Sequence, residues 1–143
     1  MMGYLFAIIS GAAMSVQGVM NTRLGEKTGI YEANVFVQGI SFILSVIVMI
    51  MWGKGSLKGI ADVDKLYLLG GVLAPVITIT VMKAVSAASP VVAISVILIS
   101  QLITAAVIDA FGLMNSEKVP FDWTCYAGIA LMIGGVILFK WHR

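Results

Sequence analysis

From Pro90 to Leu113 the sequence reads PVVAISVILISQLITAAVIDAFGL, an almost unbroken apolar run. At about 1.5 Å of rise per residue it is long enough to cross a hydrocarbon layer of roughly 30 Å. Ser89-Pro90 marks its start, a capping residue followed by proline at the first helical position. Gln101 lies near its middle and Asp109 about two turns further on. An amide and a carboxylate are costly in lipid, so a helix that carries them faces a protein interior or a wet cavity.

Composition extends this constraint to the whole chain. Hydrophobic residues make up 60% and charged residues 11%, and the mean hydropathy is +1.04. A soluble domain carries about 25% charged residues and cannot hide this much apolar surface. The chain therefore reads as an all-α membrane protein: a single transmembrane domain over 1–143, with five transmembrane helices and short loops. The spans are expected at about 3–20, 31–52, 66–82, 90–112 and 121–139. The N-terminal run lacks a basic flank and an A-x-A cleavage pattern, so it is read as a retained first helix rather than a signal peptide.

The spans have distinct features. In the first, Gly11, Ser15 and Gly18 offer close approach to another helix, and Ser10, Gln17 and Asn21 fall on one side of the wheel. Arg23, Glu26 and Lys27 mark its aqueous boundary, and Gly29 is a stop. The second, between the interfacial aromatics Tyr31 and Trp52, carries Asn34, Gln38, Ser41 and Ser45 on a single stripe. That stripe serves either interhelical hydrogen bonding or a cavity wall, and the sequence leaves both open. In the third, Pro75 is expected to kink the helix or open its hydrogen-bond ladder, beside a close-packing face of Gly70, Gly71 and Ala74. Lys83 ends it and snorkels toward headgroups. The fifth follows the polar loop 114–120 and is anchored by Trp123, Tyr126 and Trp141, with Ala130, Gly134 and Gly135 as a packing groove.

Charge excludes several classes of partner and function. The net charge of +2 is small and scattered, which excludes nucleic acid as a partner. One cysteine, Cys125, excludes an internal disulfide and a cysteine metal cluster, so no metal or other cofactor is expected. The only histidine is the near-terminal His142, and no nucleophile has a nearby base, so the chain is not expected to be an enzyme. Lys54, Lys58, Lys65 and Lys118 lie on one side of the expected topology, and Arg23, Lys27, Lys83, Lys140 and Arg143 on the other. This bias is close to nil. It fits either one fixed orientation or dual topology, and dual topology lets copies pair antiparallel into a ten-helix bundle with inverted repeats.

Three segments carry a resemblance to a known family: Gln17-x-x-x-Asn21-x-Arg23-Leu24, Ala88-Ser89-Pro90-Val91-Val92-Ala93, and Ser100-Gln101-Leu102-Ile103 continued by Ile108-Asp109-x-Phe111-Gly112. On these the chain resembles the YdcZ family of the drug/metabolite transporter superfamily, over its whole length. The resemblance implies a multi-pass exporter of the bacterial inner membrane, with five spans.

Taken together, the sequence is read as an antiparallel homodimer in lipid that moves a small-molecule substrate by alternating access. Gln17, Asn21, Asn34, Gln38 and Gln101 are the candidate substrate-binding residues, and Asp109 is the candidate for proton coupling. Gln101 is about 17 Å along its span, near the midplane where secondary transporters place their sites. Asp109 lies about 28 Å along, at the interface, which argues against a dominant central carboxylate. A mostly amide and hydroxyl lining suits a neutral or weakly charged solute. A passive pore, or an accessory subunit without transport activity, are the alternatives.

Overall fold

In the computed structural model, which describes residues 2–118 and 122–141, the chain is helical and forms two compact units, Met1–Ala87 and Ala88–Arg143. Val119 and Pro120 of the expected loop, Phe121 at the expected start of span five, the Lys140 side chain, His142 and Arg143 lie outside the described residues.

The first unit consists of α1 (Met2–Thr28), α2 (Ile30–Trp52), a short 3-10 turn at Leu57–Asp62, α3 (Lys65–Leu68) and α4 (Gly70–Ala87). Helices α1, α2 and α4 pack against one another in pairs. The second unit pairs α5 (Pro90–Phe111) with α6 (Trp123–Trp141). Four stretches are long and apolar enough to cross a membrane, Met2–Thr28, Ile30–Trp52, Lys65–Ala87 and Pro90–Phe111, and Trp123–Phe139 is a shorter apolar helix.

Helix α1 continues through Arg23, Glu26 and Lys27 to Thr28. These are good helix formers, and Arg23 Nη1 pairs with Glu26 Oε2 at 2.9 Å one turn on. The charged end therefore prolongs the helix beyond its apolar part. The chain then reverses through Gly29 alone, at φ 100° and ψ 142°, a backbone state essentially restricted to glycine. Its N–H donates to the Gly25 carbonyl (2.9 Å) and its own carbonyl accepts from Ala33 N–H (3.0 Å), so the turn closes both helix ends.

In the third span the helical break falls at Leu69, between α3 and α4, while α4 runs on through Pro75. Pro75 lacks an N–H and crowds the carbonyl one turn before it, at Gly71, and the Gly70-Gly71 pair just ahead has little helix preference. At the break, Val72 and Leu73 N–H both reach the Leu69 carbonyl at 3.0 Å in a tight turn. The polar loop is ordered by two side-chain caps: Ser56 Oγ accepts from Lys58 N–H (3.3 Å) and Asp64 Oδ1 from Leu66 N–H (3.1 Å).

Among the described glycines, those that face a close neighbour on another helix lie in one place. A methyl at Gly18 would meet Val81 at 3.2 Å, and one at Gly25 would meet the Met82 sulfur at 3.3 Å. Gly11, Gly70, Gly71, Gly134 and Gly135, expected as packing surfaces, have nothing within 4 Å of an added methyl. The tight seam is thus α1 against α4 near the α1–α2 turn, where Met82 is fully enclosed.

α5 begins at Pro90 with Ser89 as its N-cap residue, but the serine side chain makes no capping bond. Its carbonyl instead receives Ala93 N–H at 3.0 Å. At the other end Gly112, at φ 62° and ψ 38°, folds its N–H back to the Asp109 and Ile108 carbonyls. The Asp109-x-Phe111-Gly112 ending is therefore a helix stop.

Replacing Gly29 with alanine forces a side chain into the Gly29 backbone state and onto the Glu32 carboxylate. Thermal unfolding in detergent should show a loss of about 1–3 kcal/mol. Gly39→Ala, in open space within α2, should cost nothing.

Candidate functional site

The buried residues of the first unit are Gly18, Asn21, Thr22 and Gly25 from α1, Ala33 and Asn34 from α2, and Met82 and Val85 from α4. None of them is ionisable. Three are polar, and they differ in how they are satisfied.

Thr22 Oγ1 donates to the Gly18 carbonyl at 2.7 Å, within its own helix. The same four-back bond satisfies Ser15, Thr28, Thr78, Thr80 and Thr104. The amides of α2 make no such bond. Asn34 retains 8% of its surface, and its Oδ1 is enclosed with no protein group bonded to it. One turn along the same helix, Gln38 Nε2 is also enclosed and unbonded. An unmet acceptor and an unmet donor therefore stand four residues apart on one side of α2.

Distances along the helices put Asn21 at a similar depth to this pair. Counting about 1.5 Å per residue from the Gly29 turn, Asn34 is about 7 Å along α2 and Gln38 about 13 Å, while Asn21 is about 12 Å back along α1. Gln17, one turn further, is exposed and lines a shallow depression along α1 with Asn21, Val16 and Met20. Ser41 and Ser45, which continue the α2 stripe, are exposed. The covered part of the stripe is the part near the turn.

In the second unit Gln101 and Asp109 are both exposed. The α5–α6 pairing encloses an apolar groove of about 440 Å³ lined by Ile103, Ala106, Val107, Tyr126, Ala130 and Ile133. Gln101 and Asp109 fall on the side of α5 turned away from that groove. The structure thus buries Asn21 and Asn34 and half-buries Gln38 in one unit, and leaves Gln17 at its surface and Gln101 and Asp109 on the surface of the other.

Charge stays at the periphery. Among the described residues the ion pair is Arg23–Glu26, with both side chains exposed and worth at most about 1 kcal/mol. Lys83 Nζ lies 5.8 Å from the centroid of the Tyr31 ring, a cation–π contact that ties α4 to the start of α2. Thr22 was not legible as a site neighbour, although a hydroxyl four residues after Gly18 and adjacent to Asn21 was the available signal. Among the described residues no cluster of His, Cys, Asp and Glu could hold a metal ion.

No curated protein and no solved structure matches the chain. A family model does: the one described as "Putative inner membrane exporter, YdcZ" matches residues 2–138. With nearly the whole chain matched and several helices apolar enough to span a bilayer, the protein belongs to the YdcZ family of inner-membrane exporters and is a multi-pass protein of that membrane.

Proposed function

We propose that this protein exports a small neutral solute by alternating access, as an antiparallel pair of chains with Asn34 and Gln38 at the solute site. The observation that carries this reading is the enclosed, unbonded pair of Asn34 Oδ1 and Gln38 Nε2. A buried polar atom left unmet costs about 1–3 kcal/mol, so a structural role alone would favour an apolar residue at either position. A solute that meets both atoms recovers that cost on binding, which makes the pair a recognition element.

The antiparallel pair is supported by the balance of positive charge, four residues against five on the expected five-span topology. Two opposed copies would supply the inverted repeats on which secondary transporters rock. In this reading Asn21 and Gln17 extend the lining from α1. On α5, Gln101 is a further substrate-binding residue, and Asp109, exposed on the same side of that helix, is the carboxylate assigned to proton coupling.

The test uses purified protein in liposomes and a panel of radiolabelled neutral metabolites, with an organic cation for comparison. Saturable uptake of a neutral compound is expected, falling at least about tenfold in Asn34→Leu, a loss of ~1.4 kcal/mol of binding. The same variant should unfold at a higher temperature, because it removes an unmet acceptor. Uptake that never saturates would mark a pore. Wild-type uptake in Asn34→Leu would remove this residue from the site.

A further inference from the structure

We infer that Asn34 and Gln38 bracket a single hydroxyl group of the solute, so that the compounds this protein carries are neutral alcohols. The inference rests on the transport reading above and narrows it to one chemical class. The unmet atoms are one acceptor, Asn34 Oδ1, and one donor, Gln38 Nε2. They belong to side chains four residues apart on α2, where Cβ atoms are about 5–6 Å from each other. Neighbours of this kind on one side of a helix can both reach one small group placed between them.

A hydroxyl is the substituent that closes such a bridge. Its proton goes to Asn34 Oδ1, and its lone pairs accept from Gln38 Nε2. Turning both amides over leaves the same combination of one donor and one acceptor. A carboxylate would set negative charge against Asn34 Oδ1, and an ammonium would set positive charge against the Gln38 NH₂ group. The buried residues around the pair include no ionisable side chain to compensate either one. A ketone or ether has no proton for Asn34. A primary amide carries its donor and acceptor on separate atoms, which suits one facing amide better than two side chains a turn apart.

A water molecule presents the same chemistry, so the experiment must separate the two sources. The side-chain amide signals of Gln38, assigned by their loss in Gln38→Leu, are followed by NMR in lipid nanodiscs. The probes are 1,2-propanediol, propionate and propylammonium at matched ionic strength. The diol is expected to shift the Gln38 signals saturably, and the two ions are not. Asn34→Leu should abolish the diol shift, whereas Ser41→Ala, an exposed position on the same helix, should leave it intact. Should Asn34→Leu fail to fold, Asn34→Asp keeps the side-chain shape and is expected to exchange diol binding for propylammonium binding.

Gln38 signals unmoved by the diol would mean that water alone suits the pair and would overturn the assignment. Equal shifts with all three probes would overturn it as well. The two readings fail separately: diol binding without flux in liposomes would remove transport alone, and flux without any diol shift would remove the hydroxyl assignment alone.

Discussion

Inside a bilayer the only partners for a polar group are other protein groups, and the rest of this structure depends on that constraint. The backbone meets it with helices. Several hydroxyl side chains meet it by turning back to the carbonyl four residues earlier, as Thr22 does to Gly18 and Thr104 to Ser100. Asn34, Gln38 and the Ser89 hydroxyl make no such bond. Asn34 and Gln38 have no protein partner for one atom each, and that makes them the chemically open point of the first unit.

The way α1, α2 and α4 pack decides where that point lies. The one-residue reversal at Gly29 brings the end of α1 beside the start of α2, and Gly18 and Gly25 let α4 approach through Val81 and Met82. The enclosed part of the unit is therefore the end next to the turn. Asn34 falls inside it, while Ser41 and Ser45 on the same stripe fall outside. Charge is kept to the edges, with Arg23 paired to Glu26 and Lys83 resting on Tyr31, so the enclosed region is polar without being ionic. A site of that character favours a neutral guest, because a charge there would lose its hydration without gaining a counter-charge.

Much of the helical framework was legible in the sequence, since long apolar runs, Ser89-Pro90 and Gly29 act through local chemistry. Hydropathy, however, locates where apolar residues end and not where a helix ends, and α1 runs on through Arg23 and Lys27 because both favour helix. Within the chain Gly18 makes a close contact, whereas an added methyl at Gly11, Gly134 or Gly135 meets nothing within 4 Å. A small residue permits close approach and does not cause it. The polar stripe on α2 was visible as a stripe, but which of its members are covered depends on where α1 and α4 cross it, and one helix's periodicity does not contain that. For the same reason the exposure of Gln101 and Asp109 within their own unit was not readable from depth along the span.

A solute site at Asn34 and Gln38 requires that water and solute reach the pair from within the membrane. It is tested most directly by placing a cysteine at Gln38, with Cys125→Ala as background, in native membranes. A water-soluble, membrane-impermeant methanethiosulfonate is expected to modify this cysteine. Modification by lipid-soluble N-ethylmaleimide alone would contradict it, because the position would then be dry and closed to any aqueous solute.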